Sequence, residues 1–123
     1  MPSPRPDAAD LAGQVIGNGH CVAYVRRAAG LPRSTLWRRG EPVRGAECEK
    51  GTPIATFTSS GTYGSRTDGS SHCAILVAEQ LAGLLVWDQW VGQPVHQRLI
   101  RFKSGVGPAC DDADRYHVIE VWE

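Results

Sequence analysis

The chain predicts an α+β domain in which N-terminal helices pack on an antiparallel sheet of about five strands. Two observations carry that expectation. A helix with one apolar face opens after a glycine-rich loop near residue 20, and the strand-forming runs all come later, separated by turn residues, with no regular alternation of strand and helix. At 123 residues the chain is long enough for one domain with a real core and too short for two comfortable ones. Residues 1–123 are therefore read as a single domain, with residues 1–13 as a lead segment.

Taken in order, the lead is proline-rich, and residues 10–16 predict a short helix or helical turn that delivers the loop Gly17-Asn18-Gly19. The segment from Cys21 then carries apolar residues at Val22, Val25 and Ala29, with Ala at 23 and 28, which suits a helix with one buried face. Gly30-Leu31-Pro32 supplies a C-terminal glycine and a following proline to stop it. A further short helix is expected after Ser34, with Arg38-Arg39 on a solvated face. Gly51-Thr52-Pro53 predicts a turn into a strand over residues 54–57.

Residues 59–71 are rich in Gly, Ser and Thr and read as a long loop or loose hairpin arm. Residues 73–78 are near-continuously apolar, as for a strand buried on both faces. Ala82-Gly83 turns the chain into a strand over 84–87 that runs out at Asp88-Gln89-Trp90. Residues 95–102 alternate with neither face purely apolar, which predicts an outer strand. A Gly/Pro/Asp loop over 103–114 leads to a last strand over 116–122.

Composition excludes several function classes. Thirteen basic side chains balance thirteen acidic ones, so charge gives no argument for nucleic acid or an anionic membrane surface. No apolar run approaches the ~20 residues of a membrane span. The N-terminal residues lack the apolar core of a signal peptide, so export is expected to take another route.

The four cysteines, at 21, 48, 73 and 110, are too few for a disulfide-built scaffold, and with the four histidines they match no usual zinc spacing. No metal is expected. Cys48 and Cys110 both lie in charged, loop-like surroundings, and a disulfide between them is the expectation for a protein working in an oxidising space. The alternative is two surface thiols.

Cys21 is the candidate nucleophile. In the first turn of a helix, unpaired N–H groups and the helix dipole favour an anion, which should lower the thiol pKa and populate the thiolate. The alternative is a small apolar side chain packed under a helix start. A thiolate nucleophile needs a base presented on a rigid element. His72 fits, being the first polar residue before the buried strand, next to a flexible loop. Asp88 ends the next strand, and a hairpin turning at Gly83 can bring it beside His72 to set the imidazole tautomer. His96 and His117 read as structural or surface residues. Trp87 and Trp90 fit either a substrate groove or strand-end packing.

These residues carry a resemblance. Gly17-Asn18-Gly19-His20-Cys21-Val22-Ala23-Tyr24-Val25 on a helix, Ser71-His72-Cys73-Ala74-Ile75-Leu76-Val77 on a strand and Val86-Trp87-Asp88-Gln89-Trp90 on the next resemble the NlpC-type and CHAP amidases. Those are papain-like cysteine peptidases of bacterial cell-wall peptides. The small size is similar to that of the amidase effectors that type VI secretion systems inject into rival bacteria. The resemblance spans residues 14–122. It implies a papain-like fold, Cys21 as nucleophile, His72 as base and Asp88 as third member, with Gln89 as the competing candidate on the opposite face of the strand.

CHAP domains usually carry Gln immediately before the cysteine; here the residue is His20, which stands as a candidate oxyanion donor beside the Cys21 N–H. Cys73 follows the base directly, so strand alternation turns it away from the cleft into the core. Tyr63 and Arg66, in the loop before His72, are candidates for substrate contact.

The resemblance further implies hydrolysis of amide bonds in peptidoglycan stem or cross-link peptides through a thioester, without a cofactor. It implies action in the periplasm of a target cell and a cognate immunity protein in the producer. Two other readings stay open at this level. One is a non-catalytic wall-binding or adaptor module of the same fold, and the other is a transglutaminase or deamidase acting on proteins with the same triad.

Overall fold

A computed structural model describes residues 8–122, so residues 1–7 of the expected lead segment lie outside the described residues. The α-helix, α1, spans Cys21–Ala29. The strands are β1 (Trp37–Pro42), β2 (Pro53–Thr56), β3 (Cys73–Gln80), β4 (Gly83–Trp90), β5 (Gln93–Arg101) and β6 (Tyr116–Val121). They form one sheet in the order β1-β6-β2-β3-β4-β5, every neighbouring pair antiparallel. The α+β expectation holds in this form: one α-helix on a six-stranded antiparallel sheet.

α1 ends where the glycine and proline predicted. Gly30 is left-handed (φ 67°), and its N–H and that of Leu31 both bond back to the Arg26 carbonyl. Tyr24 and Val25 are fully buried against the sheet. The start of the helix depends on Gly17, whose φ is +57° and where a Cβ would come within 2.9 Å of the Ala23 Cβ.

The apolar run of β3 is explained by a core on each side of the sheet. Cys73 and Ile75 pack with Tyr24, Val25 and Trp37 under α1. Ala74 and Leu76 face the other way, onto Ile54, Val86, Ile100 and Tyr116. The hairpins β3–β4 and β4–β5 are tight. Gly83 starts β4 because any Cβ there would collide with the Ile100 carbonyl oxygen of β5.

Three expectations are corrected. Among the described residues of the lead, the helical element is a 3₁₀ turn, Ala8–Leu11; beyond it, Gly13 and Gln14 bond to the backbone of Val95, which holds residues 12–16 off a helical path. The helix expected after Ser34 is likewise a 3₁₀ turn, Ser34–Leu36, running directly into β1. β1 is the sixth strand and was concealed because its sequence, Trp-Arg-Arg-Gly-Glu-Pro, has one buried apolar residue and no alternation. Its strand conformation comes from pairing with β6, Trp37 opposite Val121 and Arg39 opposite Ile119. β5, opposite β1 in the sheet order, is an outer strand as expected. No helix among the described residues is long and apolar enough to cross a membrane.

Candidate active site

The helix start, the entrance to β3 and the ends of β4 and β5 meet at one edge of the sheet, and each element fixes one side chain there. Cys21 is the first residue of α1, preceded by His20 in an extended conformation (φ −77°, ψ 155°) with no side-chain cap on the helix. The His20 side chain therefore does not cap the N–H groups of the first turn, which point toward the sulfur's end of the helix. His72 sits just before β3, and its backbone is locked to β2. The Thr56 N–H bonds to the His72 carbonyl at 3.0 Å, and the His72 N–H bonds to Thr56 Oγ1 at 3.0 Å. Asp88 lies on the β3–β4 hairpin and is completely buried.

His72 Nε2 is 2.7 Å from Asp88 Oδ2. With that nitrogen engaged, Nδ1 is the one left for Cys21, and the imidazole and the thiol favour each other's charged forms. The Tyr63 hydroxyl lies 3.6 Å from Cys21 Sγ. The structure thus brings together Cys21, His72, Asp88 and Tyr63.

Electrostatics follow from these contacts. The Cys21 thiol is lowered to about 4, first by its hydrogen bond with the Cys73 thiol and then by His72, against the opposing effect of burial. Burial works against charge on His72, but the bonds to Asp88 and Cys21 outweigh it and raise the imidazole to about 9. Burial also opposes charge on Asp88, yet His72 and Arg98 hold its carboxyl below the ordinary range. Between those limits the stable state is a thiolate–imidazolium pair beside a carboxylate. Burial and the neighbouring thiols push Tyr63 up, so it remains a phenol able to donate to the thiolate.

Cys73 departs from its expected place in one respect. It is fully buried in the core and on the face of β3 opposite to His72, as alternation requires. That face, however, is the one that carries α1, so Cys73 belongs to the buried cluster against which Cys21 packs. Burial raises its own thiol far above the ordinary value, which leaves it a hydrogen-bond donor.

Gln89 also takes a different position from a cleft residue. Completely buried, its amide donates to the carbonyls of Ile16 (2.8 Å) and His20 (2.8 Å) and accepts from the Ile16 N–H (2.9 Å). It pins the loop before Cys21 and has no polar group left for a substrate. His20 lines the cleft and is exposed. Trp90 forms the rim, its ring 6.3 Å from that of His72.

Cys21 lies at the junction of two clefts. One, of about 370 Å³, runs past His72 and Trp90 to Arg98 and Asp111; the other, of about 460 Å³, runs along α1 past Arg26 to Tyr63. His20 and Arg66 border both. Cys48 and Cys110 are free thiols, and the expected bridge between them is not formed. Cys48 packs at the edge of the core on the far side of the sheet from α1, whereas Cys110 lines the first cleft, its N–H bonded to the Gly69 carbonyl. Among the described residues, no group of His, Cys, Asp and Glu is arranged to hold a metal ion.

Two residues at the site were missed from sequence. Arg98 Nε donates to Asp88 Oδ2 at 2.8 Å, and His96 Nε2 lies 3.0 Å from Asp88 Oδ1. A signal was available: a two-residue turn at Val91-Gly92 sets Asp88 opposite His96, and alternation puts Arg98 on the same face.

Residues 4–119 match the protein family described as domesticated amidase effector 2. A protein titled domesticated amidase effector 2, from Ixodes scapularis, is 32% identical over 106 residues, spanning 82% of this chain and 70% of that protein. The solved structure titled type 6 secretion amidase effector 2 superposes with a TM-score of 0.79 at 26% identity, over 100% of this chain and 97% of the other.

Proposed function

The chain belongs to the domesticated amidase effector 2 family, and on that premise we propose that it is a cysteine amidase that hydrolyses amide bonds in peptidoglycan stem or cross-link peptides. The observation that carries this reading is His72 held between Cys21 and a buried Asp88, with Nε2 on the carboxylate at 2.7 Å. The fold is read as papain-like, acting as one domain over residues 1–123.

In the proposed reaction the Cys21 thiolate attacks the carbonyl carbon. The oxyanion forms where the Cys21 N–H is available, with His20 at the rim as a second donor. The C–N bond breaks as the His72 imidazolium gives its proton to the departing amine, leaving a thioester. Water then attacks the thioester carbon while neutral His72 takes its proton. Collapse breaks the C–S bond, releases the new carboxyl group and restores the thiolate–imidazolium pair. Asp88 fixes the tautomer and offsets the imidazolium charge throughout. In the cell, the protein acts as an antibacterial effector delivered to the periplasm of a target cell, with an immunity protein in the producer that plugs the cleft.

Digestion of purified sacculi, with the products weighed by mass spectrometry, tests this. Soluble peptide fragments from the intact protein, and none from Cys21→Ala, are expected. Asp88→Asn keeps the shape but loses the charge; because the thiolate–imidazolium pair exists before substrate arrives, a loss of about 10–10³ in rate is expected, less than in serine triads. Ammonia released from protein glutamine, with sacculi untouched, would point to a deamidase instead.

A further inference from the structure

The face of β4 and β5 that carries Asp88 holds more machinery than a three-residue site requires. Asp88 is fully buried, and its Oδ2 receives two directed bonds, from His72 Nε2 at 2.7 Å and from Arg98 Nε at 2.8 Å. Oδ1 and His96 Nε2 are 3.0 Å apart, shut off from solvent and out of line for a full hydrogen bond. Arg98 is therefore the group, besides His72, that directs a bond at this carboxylate. The guanidinium is itself placed by two neighbours: the Trp90 ring, 5.1 Å from its carbon, and Asp111, 3.8 Å from Nη1.

We propose that Arg98 is a positioning residue for the reaction: it keeps the buried Asp88 ionised and its Oδ2 aimed at His72, and so maintains the Cys21–His72 pair without touching the substrate. The proposal rests on the cysteine-amidase reading of the same site.

A carboxylate at zero exposure, deprived of one of two bonded cations, is left with the His72 imidazolium, whose charge it shares with the Cys21 thiolate, and such an under-compensated buried group takes up a proton more readily. Protonated Asp88 no longer supports imidazolium at His72, and without imidazolium the thiolate loses its partner. The other ionisable groups facing Asp88 do not replace Arg98. On β5 the candidate is His96, poorly aligned; from α1 and β3 come the Cys21 and Cys73 thiols; from β6 comes Tyr116, buried and neutral. Asp111 reaches the cluster through Arg98 alone.

The rate of Cys21 alkylation as a function of pH reads this chemistry without any substrate. In Arg98→Gln the acid limb of that profile should move up by about one pH unit relative to wild type, as Asp88 accepts a proton sooner. Arg98→Lys, which returns the charge, should recover most of the shift. On sacculus peptides, Arg98→Gln should lower kcat with KM changed less than about twofold.

A double-variant cycle covers the case in which Arg98→Gln does not fold. Asp88→Asn removes the buried charge that needed Arg98, so Asp88→Asn/Arg98→Gln stays folded and should be no slower than Asp88→Asn alone. A further loss of rate in the double variant, a rise in KM alone, or an unmoved alkylation limb in folded Arg98→Gln would overturn the proposal. The amidase reading fails separately, by Cys21→Ala retaining activity or sacculi remaining intact, and neither result alters the alkylation profile.

Discussion

Cys21 differs from the other three cysteines by what surrounds it. Interactions with the Cys73 thiol, the His72 imidazole and the Tyr63 hydroxyl lower its thiol to about 4 against the effect of burial, whereas burial and nearby carboxylates raise Cys48 and burial raises Cys73 and Cys110. Thiolate fraction and access set alkylation rates. At pH 6, iodoacetamide should therefore modify Cys21 first, with peptide mapping showing Cys48 and Cys110 largely free and Cys73 untouched. The pair is intact between the Cys21 value, about 4, and the His72 value, about 9, so alkylation should already be fast at pH 6. Preferential labelling of Cys48 at that pH would mean that Cys21 is not held as thiolate.

Among the elements, β4 does most to organise the site, because its end places consecutive side chains on opposite faces. Asp88 supports His72 on one face, and Gln89 holds the loop before α1 on the other. The bulge between Asp88 and Trp90 lies where that division occurs. Gln89 acts through polarity as much as shape, since two of its three bonds are amide N–H groups donated to carbonyls. In Gln89→Glu a carboxylate would face the Ile16 and His20 carbonyls. Equilibrium urea unfolding should show a loss of about 3 kcal/mol for Gln89→Glu and a similar one for Gln89→Ala, from buried backbone groups left unsatisfied. Activity should fall in both, through displacement of Cys21. If Gln89→Ala remains as stable as wild type yet loses all activity, Gln89 acts on the chemistry directly.

At the scale of the whole molecule, the ion pair links folding to pH. Cys21 is depressed in the folded state, so its contribution is complete above the unfolded value near 9 and is lost as pH falls toward 4. His72 is raised, so its contribution is complete below about 6.5 and is lost as pH rises through about 9. Between about 6.5 and 9, folding releases a proton from Cys21 and takes one up at His72, and stability should be flat. Between about 4 and 6.5 the unfolded His72 is already protonated, only the Cys21 proton is released, and stability should fall with acid by about 1.4 kcal/mol per pH unit. Asp88, also depressed, adds its loss only at lower pH. Urea midpoints measured from pH 5 to 8 should show this slope in wild type and its absence in Cys21→Ala. Equal slopes in the two would mean that the thiol is neutral in the folded protein.

The linear order of residues was enough to determine α1, its glycine stop, the β3 and β4 strands, and the candidates Cys21, His72 and Asp88. Those features rest on local rules: apolar periodicity, a left-handed glycine, and a hairpin short enough to join His72 to Asp88. β1 was not legible, because an edge strand of mostly polar residues becomes a strand only when β6 is beside it. The nearness of Cys73 to Cys21 needed to know which face α1 covers. His96 and Arg98 read as ordinary residues of an outer strand until the β4–β5 register set them against Asp88. Each of these was decided by packing between segments distant in the chain, where a side chain's charge and burial depend on neighbours that no local pattern encodes.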